Sequence, residues 1–231
     1  MAIRIIRGYR TISYDAALTL AGTIPYDMVA NADAETYYLA RHLRMSGHET
    51  SKALIKQLRD LALKRASHSR KAELEASSSA HKRGVKKLLP LWDSWLAKGT
   101  LTLSYRITQV LSGHGCFGEY LHRIGAEEHP GCHEYGAALN YPQHTLESCP
   151  SFEQQRLTLQ HCVGPLILSE ALVKTLIGND LERSAVSLFC DEVLKIKETK
   201  EMEREKATLS RKARREIRTR TRRQQRLNNT T

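Results

Sequence analysis

Apolar residues recur along this chain at three- and four-residue intervals far more often than they alternate, and that period predicts helices almost throughout. Ser13 is placed to cap a short helix whose apolar face is Tyr14, Ala17, Leu18 and Ala21, and Gly22 stops it. Pro25 opens the next helix at its first turn, and Asn31 or Asp33 begins a third carrying Tyr37, Tyr38 and Leu39, which Met45 to Gly47 breaks. From Thr50 to Ala76, Leu54, Leu58, Leu61 and Leu63 repeat among Lys and Arg, the pattern of an amphipathic helix with a basic outer face. Ser77-Ser78-Ser79 reads as a linker. Leu89 to Leu96, with Trp92 and Trp95, reads as a compact helix ended by Gly99. Leu103, Ile107, Val110 and Leu111 line one face of the following helix, stopped by Gly113. From Gly113 to Pro150 the chain is irregular and rich in His, Cys and Pro. Helices resume at Phe152–Val163, at Ser169–Ile177 with Ser169 as cap, and from about Leu181, where Ala185, Leu188, Phe189 and Val193 form the apolar face. Lys195 to Glu205 mixes signs of charge at helical spacing, which suits a solvent-exposed extension.

The fold class expected is therefore mostly α: helical segments around one loop-rich, zinc-knuckle-like module, followed by a basic C-terminal helix or tail. The segments divide as 1–45, 46–90, 91–165, 166–205 and 206–231. With 231 residues the chain can form one large or two small domains. Hydrophobic residues make up 41% and aromatics 6%, so the expected core is thin and built on Leu and Ala. No apolar run approaches the roughly 20 residues that span a bilayer, and the N-terminus lacks the apolar stretch of a secretory signal, so no membrane partner is expected.

Charge changes the picture more than composition does. The formal net charge is +11, yet Lys206 to Thr231 contains ten Lys or Arg and one acid, Glu216, leaving residues 1–205 at only +2. The basic residues are Lys206, Arg211, Lys212, Arg214, Arg215, Arg218, Arg220, Arg222, Arg223 and Arg226. Guanidinium forks pair with phosphate bidentately, and each neutralised phosphate releases counterions. No aromatic residue stands in this tail, so base stacking is not its mode; it is expected to hold the RNA or DNA backbone without sequence choice and to double as a nuclear import signal.

Cysteines number five, an odd set in a basic chain, which favours metal ligation or burial over a disulfide framework. Cys132, His144 and Cys149 match most of a zinc knuckle, C-x2-C-x(7–8)-H-x4-C, whose thiolates and imidazole converge tetrahedrally on zinc. The second cysteine should stand at 135, where the chain has Tyr135, a poor zinc ligand. His129 recreates an x2 pair upstream, giving His129, Cys132, His144 and Cys149 as the candidate set; His133 is the less favourable substitute because adjacent residues rarely chelate one ion. Cys116, Cys162 and Cys190 read as small buried hydrophobes on helical faces. His114 and Cys116 in Gly113-His114-Gly115-Cys116 invite a nucleophile-and-base reading, but no orienting acid is identifiable. No Asp-Asp pair occurs, and Glu127-Glu128 has no partner acid at useful spacing, so no catalytic centre is expected in this chain.

Three stretches together resemble a known family. Gly8-Tyr9-Arg10-Thr11-Ile12-Ser13, with Ala16-Ala17, Leu20-Ala21-Gly22 and Pro25, is similar to the segment after the reverse transcriptase core of insect non-LTR retrotransposon polyproteins, of the group inserting into ribosomal RNA genes. Trp95-Leu96, the run Tyr105 to Phe117, Tyr120-Leu121, Arg123 and Gly125 resemble the C-terminal region of the same proteins. His144-Thr145-Leu146-Glu147 and Cys149-Pro150-Ser151-Phe152 continue the likeness through the knuckle, where Tyr135 departs from the family's cysteine. The resemblance implies a region downstream of an endonuclease and a polymerase, with residues 1–45 as thumb-like helices and the knuckle, with zinc as its cofactor, helping to hold element RNA or target DNA during target-primed reverse transcription. It implies the polymerase domain of the same polyprotein as a partner, and a nuclear location. A different reading, a free-standing helical adaptor docking protein partners through Lys195–Glu205, would need the apolar stripe of Leu188, Phe189 and Val193 to continue past Lys195, and it does not.

Overall fold

The computed structural model describes residues 2–77, 83–99, 103–164 and 168–228, with side chains left out at 83–84, 168–171 and from 210 on. Eleven α-helices follow one another: α1 Ala2–Ile5, α2 Tyr14–Leu20, α3 Tyr26–Met45, α4 Lys52–Ala76, α5 Arg83–Lys86, α6 Trp92–Ala97, α7 Tyr105–Ser112, α8 Gly118–Arg123, α9 Glu153–Val163, α10 Leu168–Ile177 and α11 Asp180–Asn228. Short 3-10 turns at Leu89–Leu91 and Pro150–Phe152 and a π turn at His144–Ser148 complete the set, and no strand occurs among the described residues.

Ser13, Ser51 and Ser104 each accept a hydrogen bond from a backbone N–H three residues on, capping α2, α4 and α7. Gly113 ends α7 in the left-handed region at φ 73°, which costs glycine nothing. Between Pro25 and Met45 the expected break at Asn31 or Asp33 is absent: α3 runs through, Asn31 and Asp33 face outward, and Asp33 pairs with Arg59 at 2.6 Å. Ser169 lies inside α10 rather than capping it. The proposed linker falls largely outside the described residues, apart from Ser77.

Helices α3 and α4 pack as an antiparallel hairpin on small residues, Ala32, Thr36 and Ala40 from α3 and Ala62 from α4. Tyr37, Tyr38, Leu39 and Leu61, which the spacing places on the apolar faces, are instead exposed. Small side chains let two helix backbones approach, so here size decides the buried face ahead of hydrophobicity. Trp92 fastens the hairpin to the body, and Trp95 ties α6 to α2. Trp92 Nε1 donates to Ser67 Oγ at 2.9 Å, Trp95 Nε1 donates to the Thr19 carbonyl at 2.8 Å, and both rings are buried. Arg70 adds an ion pair from α4 to Asp15 of α2.

The main core joins Ile6, Leu20, Leu88, Trp95, Ile107, Leu111, Phe117, Phe152, Val173, Leu176, Val186 and Leu194, so residues far apart in sequence share one interior. Helix α11 contributes Val186, Phe189, Cys190, Val193 and Leu194 to it. Leu188, expected on that face, is 70% exposed, because the buried stripe is centred on Cys190 and Leu194. Packing of α7, α9 and α10 against this half of α11 supplies the costly nucleus from which a helix propagates. Its backbone then stays helical to Asn228 despite the like charges.

Candidate metal centre and basic helix

The stretch between α8 and α9 has little regular structure but a dense hydrogen-bond scaffold. Asn140, 1% exposed, is its hub. Its backbone N–H donates to the Pro130 carbonyl at 2.7 Å, its carbonyl accepts from the Glu119 N–H at 2.8 Å, and its Oδ1 accepts from the Gly118 N–H and the Thr145 hydroxyl, each at 3.3 Å. A Cβ on Gly118 would stand 2.4 Å from the Gly131 carbonyl oxygen, so only glycine lets the 130–131 backbone lie across the start of α8. Next comes a tight turn: the Gly136 N–H donates to the Cys132 carbonyl at 2.7 Å, and the Cys132 N–H to the Ala137 carbonyl at 2.8 Å.

A second turn faces the first. The Cys149 N–H donates to the His144 carbonyl, five residues back, at 2.8 Å. A π turn brings residues i and i+5 alongside one another, which is the physical content of the x4 spacing between His144 and Cys149. Together the turns place ligand atoms of Cys132, His144 and Cys149 within 4.8 Å of one another. The Cys132 and Cys149 sulfurs are 3.8 Å apart. Two thiolates on a tetrahedral zinc, at about 2.3 Å each, stand about 3.8 Å from one another, so the spacing fits a bound metal and is far from a disulfide. His144 Nε2 is buried with no hydrogen-bond partner. Burial, then the charge of Lys197, holds the His144 pKa below its ordinary value, which leaves a neutral ring whose nitrogen can ligate. Burial pushes the Cys149 thiol up, as for any thiol kept from water without a cation beside it. Such a metal would supply a structural cross-link between the two turns.

His129 is exposed and lies outside this three-residue group. Tyr135 is 63% exposed, and His133 pairs with Glu127 at 3.2 Å. Sequence reasoning passed over Glu134. Lys197 of α11 donates to Glu134 Oε2 at 2.8 Å, and their side chains are only 4% and 1% exposed. Burial raises the Glu134 pKa, but the Lys197 charge and hydrogen bond, with one from the Cys132 thiol, outweigh it and hold the carboxyl below its usual range. An acid inside a cysteine-flanked turn was the available signal for Glu134; nothing local marks Lys197.

That pair corrects the expectation for Lys195–Glu205. One face of the stretch is docked rather than free: Lys197 reaches Glu134, Arg106 pairs with Glu198 and Arg204 approaches Glu127 at 3.7 Å, while Lys195, Thr199, Lys200, Met202, Glu203 and Glu205 stay exposed. Ten basic positions follow in the same helix, from Lys206, which is exposed, to Arg226. At 100° per residue, Arg211, Arg215, Arg218, Arg222 and Arg226 fall along one line of its register. From Lys206 to Arg226 the helix advances about 30 Å.

Both ring nitrogens of His114 face main-chain carbonyls, of Ser112 at 3.0 Å and Thr11 at 3.3 Å, and its ring packs on Tyr120. Burial, then the Glu201 hydrogen bond, pushes the Cys116 thiol far above its ordinary range, which is the reverse of an activated nucleophile. Cys116 and Cys190 are buried, as expected of small hydrophobes. Cys162, in the last turn of α9, is exposed, because the face of that helix that is buried carries Leu159. No helix among the described residues is long and apolar enough to cross a membrane.

No protein-family profile matches the chain, and no solved structure does. Among curated proteins, it is 29% identical over 199 residues to a "Retrovirus-related Pol polyprotein from type-1 retrotransposable element R1" of Bradysia coprophila, a match covering 78% of this chain and 19% of that protein. It is 28% identical over 168 residues to the corresponding polyprotein of element "R1 4" of Nasonia vitripennis, covering 67% of this chain and 40% of that one. The chain thus spans well under half the length of these relatives. It is similar to one region of these retrotransposon Pol polyproteins.

Proposed function

We propose that this chain is a nucleic-acid-binding part of a retrotransposon reverse transcriptase polyprotein, holding element RNA or target DNA during target-primed reverse transcription while polymerisation and cleavage are done by other domains. One observation carries the reading: α11 is a single helix whose first half is locked to the Cys-His-Cys module, by the buried Lys197–Glu134 pair among other contacts, and whose second half holds +9 of the +11 net charge. A rigid mount turns a basic tail into a directed arm. Phosphates then meet a run of arginines spaced along a helix that leaves the module, and the counterions they release favour the complex. The match to Pol polyproteins supports a setting in which such a polyanion is at hand, with the polymerase domain of the same polyprotein as neighbour and the nucleus as the place of work, which the basic run would also serve as an import signal.

The test is fluorescence anisotropy with labelled single-stranded RNA and duplex DNA, titrated from low to high KCl. Full-length chain is expected to show log K falling with log salt by about 0.9 per duplex phosphate neutralised. Deleting Lys206–Thr231 is expected to remove most of that slope. Affinity and slope that survive the deletion would sink this reading of the tail.

A further inference from the structure

We infer that Glu134 supplies the fourth ligand of a metal site whose other three are Cys132, His144 and Cys149, with Lys197 as its buried charge partner. The inference rests on the knuckle reading of the module and is independent of nucleic-acid binding. At the position where a knuckle carries its second cysteine, Tyr135 is 63% exposed and turned to solvent. Its neighbour Glu134 is turned the other way, with 1% of its side chain exposed. Glu134 Oε2 lies 3.4 Å from the Cys132 sulfur. A sulfur and a carboxylate oxygen sharing one tetrahedral zinc stand about 3.5 Å apart, given metal distances of about 2.3 and 2.0 Å. The sulfur-to-sulfur spacing of 3.8 Å is thus an edge of a zinc tetrahedron, and the 3.4 Å sulfur-to-oxygen contact puts the carboxylate beside Cys132 at the length a second edge would have.

Unsatisfied polar atoms point the same way. Glu134 Oε1 and His144 Nε2 are both buried without a hydrogen-bond partner. A buried acceptor left unmade is costly, and a carboxylate that fills only one oxygen is an uncommon use of a buried acid. Bringing Oε1 or Oε2 onto the ion takes a side-chain rotation, since the carboxylate stands outside the mutual 4.8 Å group formed by the other three. Charge closes as well. Two thiolates and one carboxylate sum to −3, and a divalent ion with the Lys197 ammonium restores zero, as a site this far from water requires. When the ion binds, the Cys132 and Cys149 thiols each release a proton to the buffer and the sulfur lone pairs become the ligands. His133 and His129 cannot fill the same place without leaving the surface.

The experiment is titration of the full chain with Co2+ alone, without nucleic acid, following thiolate-to-cobalt absorption and the d–d bands whose intensity reports four-coordination. The parent chain is expected to bind one Co2+ with tetrahedral intensity and to yield it to Zn2+. Because Glu134→Gln alone strands Lys197, the informative variant is E134Q combined with K197M, with K197M alone as its control and far-UV circular dichroism confirming the helical fold of each. K197M is expected to bind Co2+ more weakly than the parent, because the site then carries an unbalanced negative charge, but with the band intensity of four-coordination. E134Q/K197M is expected to lose at least about tenfold in Co2+ affinity and the tetrahedral band intensity. Affinity and spectrum of E134Q/K197M equal to those of K197M would overturn the assignment, as would a parent chain that takes up no Co2+.

Discussion

The two halves of α11 use charge in opposite ways. Up to Glu205, charged residues mix in sign and those on one face are docked against the body: Lys197 is 3% exposed and faces Glu134, while Glu198 and Arg204 reach Arg106 and Glu127. From Lys206 onward one sign dominates, and no apolar stripe accompanies it. The difference teaches that a mixed-sign helical sequence is not by itself evidence of a solvated face. Mixed-sign charge can dock a helix when each partner comes from elsewhere in the fold, whereas single-sign charge repels itself and is the feature on which the proposed polyanion binding rests.

Changes on the docked half should cost stability and leave salt dependence alone; changes on the basic half should do the reverse. Phe189→Ala, at a site 4% exposed, is expected to lower unfolding free energy by about 4 kcal/mol in urea titrations. Lys197→Ala should follow at about 3 kcal/mol, because it leaves the Glu134 carboxylate buried and unpaired; equal stability of the variant and parent would show that the pair is not a tie between helix and module. On the other half, Arg218→Gln is expected to reduce the slope of log K against log salt by about 1 and to leave the urea midpoint where it was. A thiol probe at neutral pH should label exposed Cys162 first. Buried Cys190, whose pKa burial pushes up to about 12, should react only on unfolding. Smallest of all, Leu188→Ala should change stability by less than about 0.5 kcal/mol, since that leucine is 70% exposed although its spacing suggests core. A large loss there would mean that the surface it sits on is covered.

Much of the helical layout was legible because capping and stopping are local. Ser13, read as a cap, bonds to an N–H three residues away, and Gly113, read as a stop, needs only its own backbone freedom. Ser51 and Ser104 cap in the same way without being singled out by the sequence pattern, and Ser169, also read as a cap, lies inside α10. The ligand spacing from His144 to Cys149 was also legible, since one π turn is a local structure. Faces were read less well. Tyr37, Tyr38 and Leu61, the large apolar residues that stand out in these two helices, are exposed, and the buried residues are Ala32, Thr36, Ala40 and Ala62. Which side of an amphipathic helix is buried depends on the shape of what it meets, and that is not written beside it.

The sequence by itself determined that the chain is helical, where most helices begin and end, that three metal-ligand residues lie near one another along the chain, and that the charge is concentrated after Lys206. Those follow from short-range bonds and from simple counting. Only the tertiary structure decided that Glu134 turns inward while Tyr135 turns out, that Lys197 arrives from 63 residues away to face it, and that α11 is fixed to the module as it leaves the core. Each of these depends on burying polar groups in pairs. A buried ion is tolerable only beside its partner, and the partner's address is set by how the helices pack.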